Sequence, residues 1–111
     1  MSTVFGKILK GELPAEKVYE NEYVLAFNDI HPKAPVHILI IPKKEIRDIQ
    51  SVQEEDYLLI VEIIKAAQII AEEQGVADGY RLVTNNGPDA GQEVFHLHFH
   101  LMGGKKLGSI A

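Results

Sequence analysis

His96-Leu97-His98-Phe99-His100-Leu101-Met102 is the stretch on which the reading of this chain turns. Three histidines alternate with apolar residues, the period-two pattern of a β-strand. As a strand it sends His96, His98 and His100 to one face, and Phe95, Leu97, Phe99 and Leu101 to the other. The apolar side buries in a core and leaves a row of imidazoles about 7 Å apart. Side chains that titrate near neutrality, held in line on a rigid element, serve stability poorly and point instead to chemistry.

The rest of the chain bounds that chemistry. At 111 residues it is one domain, with residues 104–111 expected as a mobile tail. A formal charge of −5 argues against a nucleic-acid or anionic-membrane partner, so any phosphate must be held by local groups. There is no cysteine, hence no disulfide and no thiolate metal site. The N-terminal run from Met1 to Lys7 lacks a leader's apolar core, and no apolar run approaches membrane-spanning length. A cytoplasmic protein is the expectation.

Outward from the triad, the elements follow from punctuation and period. Thr3 caps a short helix through Lys10 that carries Val4, Phe5 and Ile8 on one side, before Gly11 and Pro14 break it. Lys17–Glu20 and Tyr23–Asn28 form a hairpin about Asn21-Glu22. Two prolines make the run from Asp29 to Pro35 a loop, with His31 as a turn residue. Val36–Ile41 reads as a buried strand ended by Pro42, and His37 is its one polar group. Lys43–Ile49 reads as a short helix. Ser51-Val52-Gln53-Glu54 has the spacing of a capping box that opens a long helix to Gln74, stopped by Gly75. Apolar residues cover more than half of that helix, more than one sheet requires, which suggests a two-fold dimer interface. Gly79–Asn85 is a further strand. The turn from Asn85 to Gln92 then faces its N–H groups and the Asn85 and Gln92 amides to the end of the imidazole row, a nest for an anion.

Two chemistries suit a row of histidines. A metal could be shared by a His-x-His pair, but the outer Cα atoms of the triad lie about 14 Å apart on a strand. Zinc needs each nitrogen within about 2.1 Å, so one histidine would be left unexplained. Nucleophilic catalysis on phosphorus uses all three. His98 attacks as a neutral imidazole, protons on its neighbours disfavour a second on His98, and His96 and His100 donate hydrogen bonds to phosphate oxygens. This route requires neither metal nor other cofactor.

The seven residues His96 to Met102 fit His-φ-His-φ-His-φ-φ, with φ apolar, and so resemble the histidine triad (HIT) superfamily. Val4-Phe5-Gly6-Lys7-Ile8, Ala26-Phe27-Asn28-Asp29-Ile30, Ala34-Pro35-Val36-His37, Ile41-Pro42-Lys43-Lys44, Gly79-Tyr80-Arg81 and Gly103-Gly104 extend the resemblance to its Hint branch, the histidine triad nucleotide-binding proteins. The resemblance implies an α+β fold: a five-stranded antiparallel sheet with one long and one or two short helices. It also implies a homodimer whose sheets join into a ten-stranded arrangement. The implied activity is hydrolysis of purine nucleoside phosphoramidates, releasing AMP or GMP and an amine.

Carried onto this chain, the resemblance makes His98 the nucleophile and lets His96 orient it, with His100 and His37 near the phosphate. Asp29 would accept the ribose hydroxyls. Val4, Phe5, Ile8, Phe27, Asn28 and Ile30 would line the base pocket, while Asn85 and Gln92, Glu93 and Val94 would hold the phosphate. Glu93 departs from the Ser or Thr of many Hint proteins, and the tail lacks the Trp-Pro-Pro-Gly ending of eukaryotic members. Two other functions compete: hydrolysis of dinucleoside polyphosphates, as in the Fhit branch, and nucleotide-dependent regulation without catalysis.

Overall fold

The computed structural model describes residues 3–111; Met1 and Ser2, at the start of the run read as lacking a leader, lie outside it. Its elements are α1 (Val4–Leu9), β1 (Lys17–Glu20), β2 (Val24–Asn28), β3 (Val36–Pro42), α2 (Tyr57–Glu73), β4 (Tyr80–Val83) and β5 (Phe99–Gly103). The strands form one five-stranded sheet in the order β1-β2-β3-β5-β4, every neighbouring pair antiparallel. This is the α+β arrangement expected from the resemblance.

Strand alternation divides the core in two. Val24 and Ala26 of β2, Ile38 and Ile40 of β3 and Leu101 of β5 pack on one face, against Ile63, Ala66, Ala67, Ile70 and Ala71 of α2. Leu25, Phe27, Leu39 and Ile41 point to the opposite face, which α1 covers with Phe5. His37 shares the parity of Leu39 and Ile41, and the register sets Leu39 opposite His100. The histidines therefore lie on the α1 face of the sheet, away from the long helix.

The local signals that held are chemical. Thr3 accepts a hydrogen bond from the Gly6 N–H at 3.1 Å and so caps α1. Asn21 closes the β1–β2 turn by accepting from the N–H groups of Tyr23 at 2.8 Å and Val24 at 3.0 Å. Gly75 ends α2 at φ 71°, a conformation that glycine adopts without a Cβ penalty.

Four expectations are corrected. Residues 96–98 are not in the sheet, because β5 begins at Phe99. The β3–β5 ladder runs from Val36↔Gly103 to Ile40↔Phe99, and beyond it Pro42 has no N–H with which to continue. The Leu97 N–H goes instead to the Ile46 carbonyl at 2.6 Å.

Lys43–Ile49 is not helical: one 3₁₀ turn forms, at Ile49–Ser51. The carbonyls of Pro42, Ile46 and Arg47 accept from His96, Leu97 and Gln92, so this run serves as a docking edge for the histidine segment. Ser51 does not cap α2 either. Its N–H and hydroxyl both go to Asp48 Oδ1, and α2 starts at Tyr57 after a second 3₁₀ turn, Glu54–Asp56. The β4 strand is also shorter than its expected span, ending at Val83.

Among the described residues no helix is long and apolar enough to cross a membrane.

Candidate active site

The segment from Gln92 to Gly103 is clamped by main-chain groups, and these fix where each imidazole keeps its proton. His98 is 7% exposed, and its Nδ1 lies 2.7 Å from the carbonyl oxygen of His96. A carbonyl can only accept, so Nδ1 carries the hydrogen and Nε2 keeps its lone pair. His96 is 1% exposed, and its Nε2–H donates to the Pro42 carbonyl at 2.9 Å. Its Nδ1 is buried and meets no hydrogen-bond partner among the described residues. His96 is therefore closed to any ligand, and it steers His98 through its own carbonyl. The hydrogen bond to phosphate expected of its ring is not available.

The second pair is fixed in the same way. The Lys33 N–H donates to His37 Nδ1 at 3.0 Å, which leaves the His37 hydrogen on Nε2. That Nε2 faces His100 Nδ1 at 3.0 Å, and so the His100 hydrogen sits on Nε2. The rings follow one another: His37 to His100 with centroids 5.2 Å apart, then His100 to His98 at 5.1 Å. Asp29 Oδ2 approaches His37 Nε2 to 3.4 Å, and Asp29 Oδ1 accepts the His31 N–H at 2.8 Å.

All four imidazoles are held below the usual histidine range, chiefly because burial penalises the charged form. His100 falls to about 4, helped by the neighbouring His98 and His37. For His98, burial outweighs the opposing hydrogen bond to the His96 carbonyl, and like-charge repulsion from His96 is a smaller contribution. Neutrality of the candidate nucleophile thus comes first from desolvation, where the sequence had suggested its neighbours' charge.

Apolar walls close the site. Phe5 packs edge-to-face with His98 at 4.9 Å between centroids and with Phe27 at 5.5 Å, which ties α1 to His98. Val4 is exposed and Ile30 is 85% exposed, while Ile8 lines a cleft of about 220 Å³ with Leu9, Leu25 and three charged residues. The Asn28 amide turns away to Glu16 at 2.9 Å.

A family model, described as the HIT domain, matches residues 10–107. The chain belongs to the HIT domain family. An uncharacterized HIT-like protein of Chlamydia trachomatis is 50% identical over 111 residues, which is the whole of both chains. A HIT family hydrolase from Clostridium thermocellum superposes with a TM-score of 0.93 at 51% identity, covering 96% of this chain and 94% of that one. A histidine triad nucleotide-binding protein from Candida albicans gives 0.83 at 28% identity, covering 99% and 86%.

Within this HIT domain, the structure brings His37, His98, His100, Asp29 and Phe5 together. The turn before the triad departs from its expected role. Gln92 spends its amide on the protein, accepting from the Gly87 N–H at 2.7 Å and donating to the carbonyls of Arg47 at 3.0 Å and Val94 at 3.1 Å. Its N–H bonds to the Gly87 carbonyl. Gln92 therefore shapes the loop and has no donor left for a phosphate. Glu93 is exposed and is not among the charges acting on the triad. Asn85 and Val94 are half-buried beside the same segment.

Sequence reasoning missed Thr84, whose hydroxyl donates to the His98 carbonyl at 2.7 Å. A threonine at a strand end carries no signal of that role.

A divalent cation is the other ligand to weigh. Asp29, His37 and His100 each offer one ligand atom, all within 4.8 Å of one another. The His37 atom facing the other two is Nε2, which the Lys33 N–H makes a donor. A cation there would have to displace that hydrogen or break the Lys33 bond, so these residues suit a hydrogen-bond relay better than a metal site.

Proposed function

We propose that this HIT domain is a nucleotide-binding hydrolase that cleaves the P–N bond of purine nucleoside phosphoramidates through a nucleotidyl-His98 intermediate. The observation that carries the reading is the His98 Nδ1–H bond to the His96 carbonyl, which leaves a neutral, aimed Nε2 lone pair. That nitrogen forms a bond to phosphorus as the P–N bond breaks, and the departing amine takes up a proton from water. A water molecule then attacks the phosphorus, the His98–P bond breaks, and the proton is returned. Because its Nδ1 accepts from His37, His100 presents Nε2–H as a donor to the phosphoryl oxygens.

Asp29, an acceptor on the loop beside His37, suits the vicinal hydroxyls of ribose. Val4, Phe5, Ile8, Phe27 and Ile30 supply an apolar surface for the base, and the Glu93–Val94 backbone lies next to the phosphate. The relatives named as hydrolase and as nucleotide-binding protein favour the same class of chemistry.

The functional unit in this reading is a homodimer. Tyr57, Val61 and Ile64 recur at helical spacing on the exposed side of α2, and Leu58 beside them is 76% exposed.

A direct test mixes the protein with a slowly cleaved adenosine phosphoramidate, quenches in base, where phosphoramidate links survive, and maps the adduct by mass spectrometry. A nucleotide on His98 is expected. An adduct on another residue, or turnover without one, would reject the mechanism. His98→Ala should lose nearly all turnover yet bind AMP within about tenfold, equivalent to roughly 1.4 kcal/mol.

A further inference from the structure

One buried hydrogen is bonded to one acceptor, His100, and has a second group, the Asp29 carboxylate, close enough to compete for it. His37 Nε2 stands 3.0 Å from His100 Nδ1 and 3.4 Å from Asp29 Oδ2. Its position on Nε2 is fixed from behind, since Nδ1 is taken by the Lys33 N–H. The competing acceptor is narrowed to a single atom as well, because Asp29 Oδ1 already accepts from His31. When the hydrogen is given to His100, that ring must keep its own hydrogen on Nε2 and can donate to a phosphate. When it is given to the carboxylate, His100 Nδ1 loses its donor. The ring can then hold its hydrogen on Nδ1, directed at Asp29, with Nε2 bare. The longer contact is to the charged acceptor and the shorter to the neutral one, so neither is excluded by strength alone.

We propose that the sugar hydroxyls of a bound nucleotide, by donating to Asp29 Oδ2, remove the competitor and commit His37 Nε2–H to His100. Recognition of ribose thereby sets the donor at the phosphate, some distance from the sugar. His37 is a positioning residue that acts through His100. Asp29 is a specificity determinant whose effect reaches kcat as well as KM. The inference rests on the phosphoramidase reading above and adds to it a coupling between two subsites.

The test compares kcat and KM for adenosine and 2′,3′-dideoxyadenosine phosphoramidates of one amine, on the full chain and on two variants. In the unmodified protein the dideoxy substrate should lower kcat on the order of tenfold, a fraction of what loss of a transition-state donor costs, in addition to raising KM. Asp29→Ala removes the competing acceptor permanently. It should raise KM for the ribose substrate and give both substrates the same kcat. His37→Gln should lower kcat for the ribose substrate and abolish the kcat difference between sugars, leaving a difference in KM.

A dideoxy penalty confined to KM in the unmodified protein would overturn the coupling while leaving the phosphoramidase reading intact. So would an Asp29→Ala protein whose kcat still depends on the sugar, a result that can be read even if His37→Gln does not fold. Absence of turnover and of a His98 adduct with the ribose substrate would overturn both.

Discussion

Lowering the pH from 7 to 5 should destabilise this protein through its histidine cluster. His37, His96, His98 and His100 all have folded-state pKa values below the ordinary 6.5. In the unfolded chain each takes up a proton near pH 6.5, which the native chain does not bind until lower pH. Stability from these groups is therefore present above that value and lost as the pH falls towards the folded-state values. For a group at about 4, such as His100, the linkage integrates to about 1.8 kcal/mol between pH 7 and 5. Its partial exposure reduces this to about 1–2 kcal/mol. Against a total stability of about 5–15 kcal/mol, one histidine matters and four of the same sign matter more. The assay is urea denaturation at fixed protein concentration, at several pH values from 5 to 7, for the native sequence and for His100→Asn. The variant should show a shallower loss towards acid by about 1–2 kcal/mol, whatever its stability at pH 7. Parallel pH profiles for the two proteins would mean that His100 takes up its proton as readily in the fold as in the unfolded chain, and the tautomer assignments would lose their support.

Thr84→Val removes the hydroxyl donated to the His98 carbonyl at nearly constant volume. It should cost about 1 kcal/mol of stability and lower kcat more than it raises KM; an unchanged kcat would make the contact purely structural. Gln92→Leu empties a loop of three hydrogen bonds while touching no proposed ligand contact, so activity should fall together with a thermal midpoint several degrees lower. Lost nucleotide affinity at unchanged stability would instead restore Gln92 to the phosphate site. Val61→Lys places a charge in the exposed apolar row of α2, and light scattering should show the mass fall from dimer to monomer. A monomeric unmodified protein would remove the dimer reading. Prolonged treatment with a chelator should leave turnover unchanged, whereas a loss restored by zinc would assign Asp29, His37 and His100 to a metal.

What the chain disclosed in advance was what repeats. The apolar runs within Tyr23–Asn28 and Val36–Ile41 read as strands, the second of them buried, and the triad's own alternation placed Leu101 in the core with His100 opposite. Thr3, Asn21 and Gly75 were legible because each performs its task within three residues of itself. The groups that decide the chemistry were not. The carbonyl of Pro42 reaches His96 across 54 positions, and the Thr84 hydroxyl reaches His98 across 14. No side-chain pattern announces a carbonyl. The run from Lys43 to Ile49 misled for the same reason, since its residues suit a helix and its backbone is engaged elsewhere.

The hydrogens of this site are addressed by the main chain: the carbonyls of Pro42 and His96 and the N–H of Lys33. Drift in the side chains at positions 33 and 42 can leave that addressing untouched, because every amino acid brings a carbonyl and all but proline bring an N–H. A change in spacing cannot. Insertion of a single residue between Pro42 and Ile46 would move one anchor relative to the other and leave each surrounding side chain in place by name. Descendants of this sequence are thus free to vary in composition around the histidines while remaining intolerant of any change in chain length there.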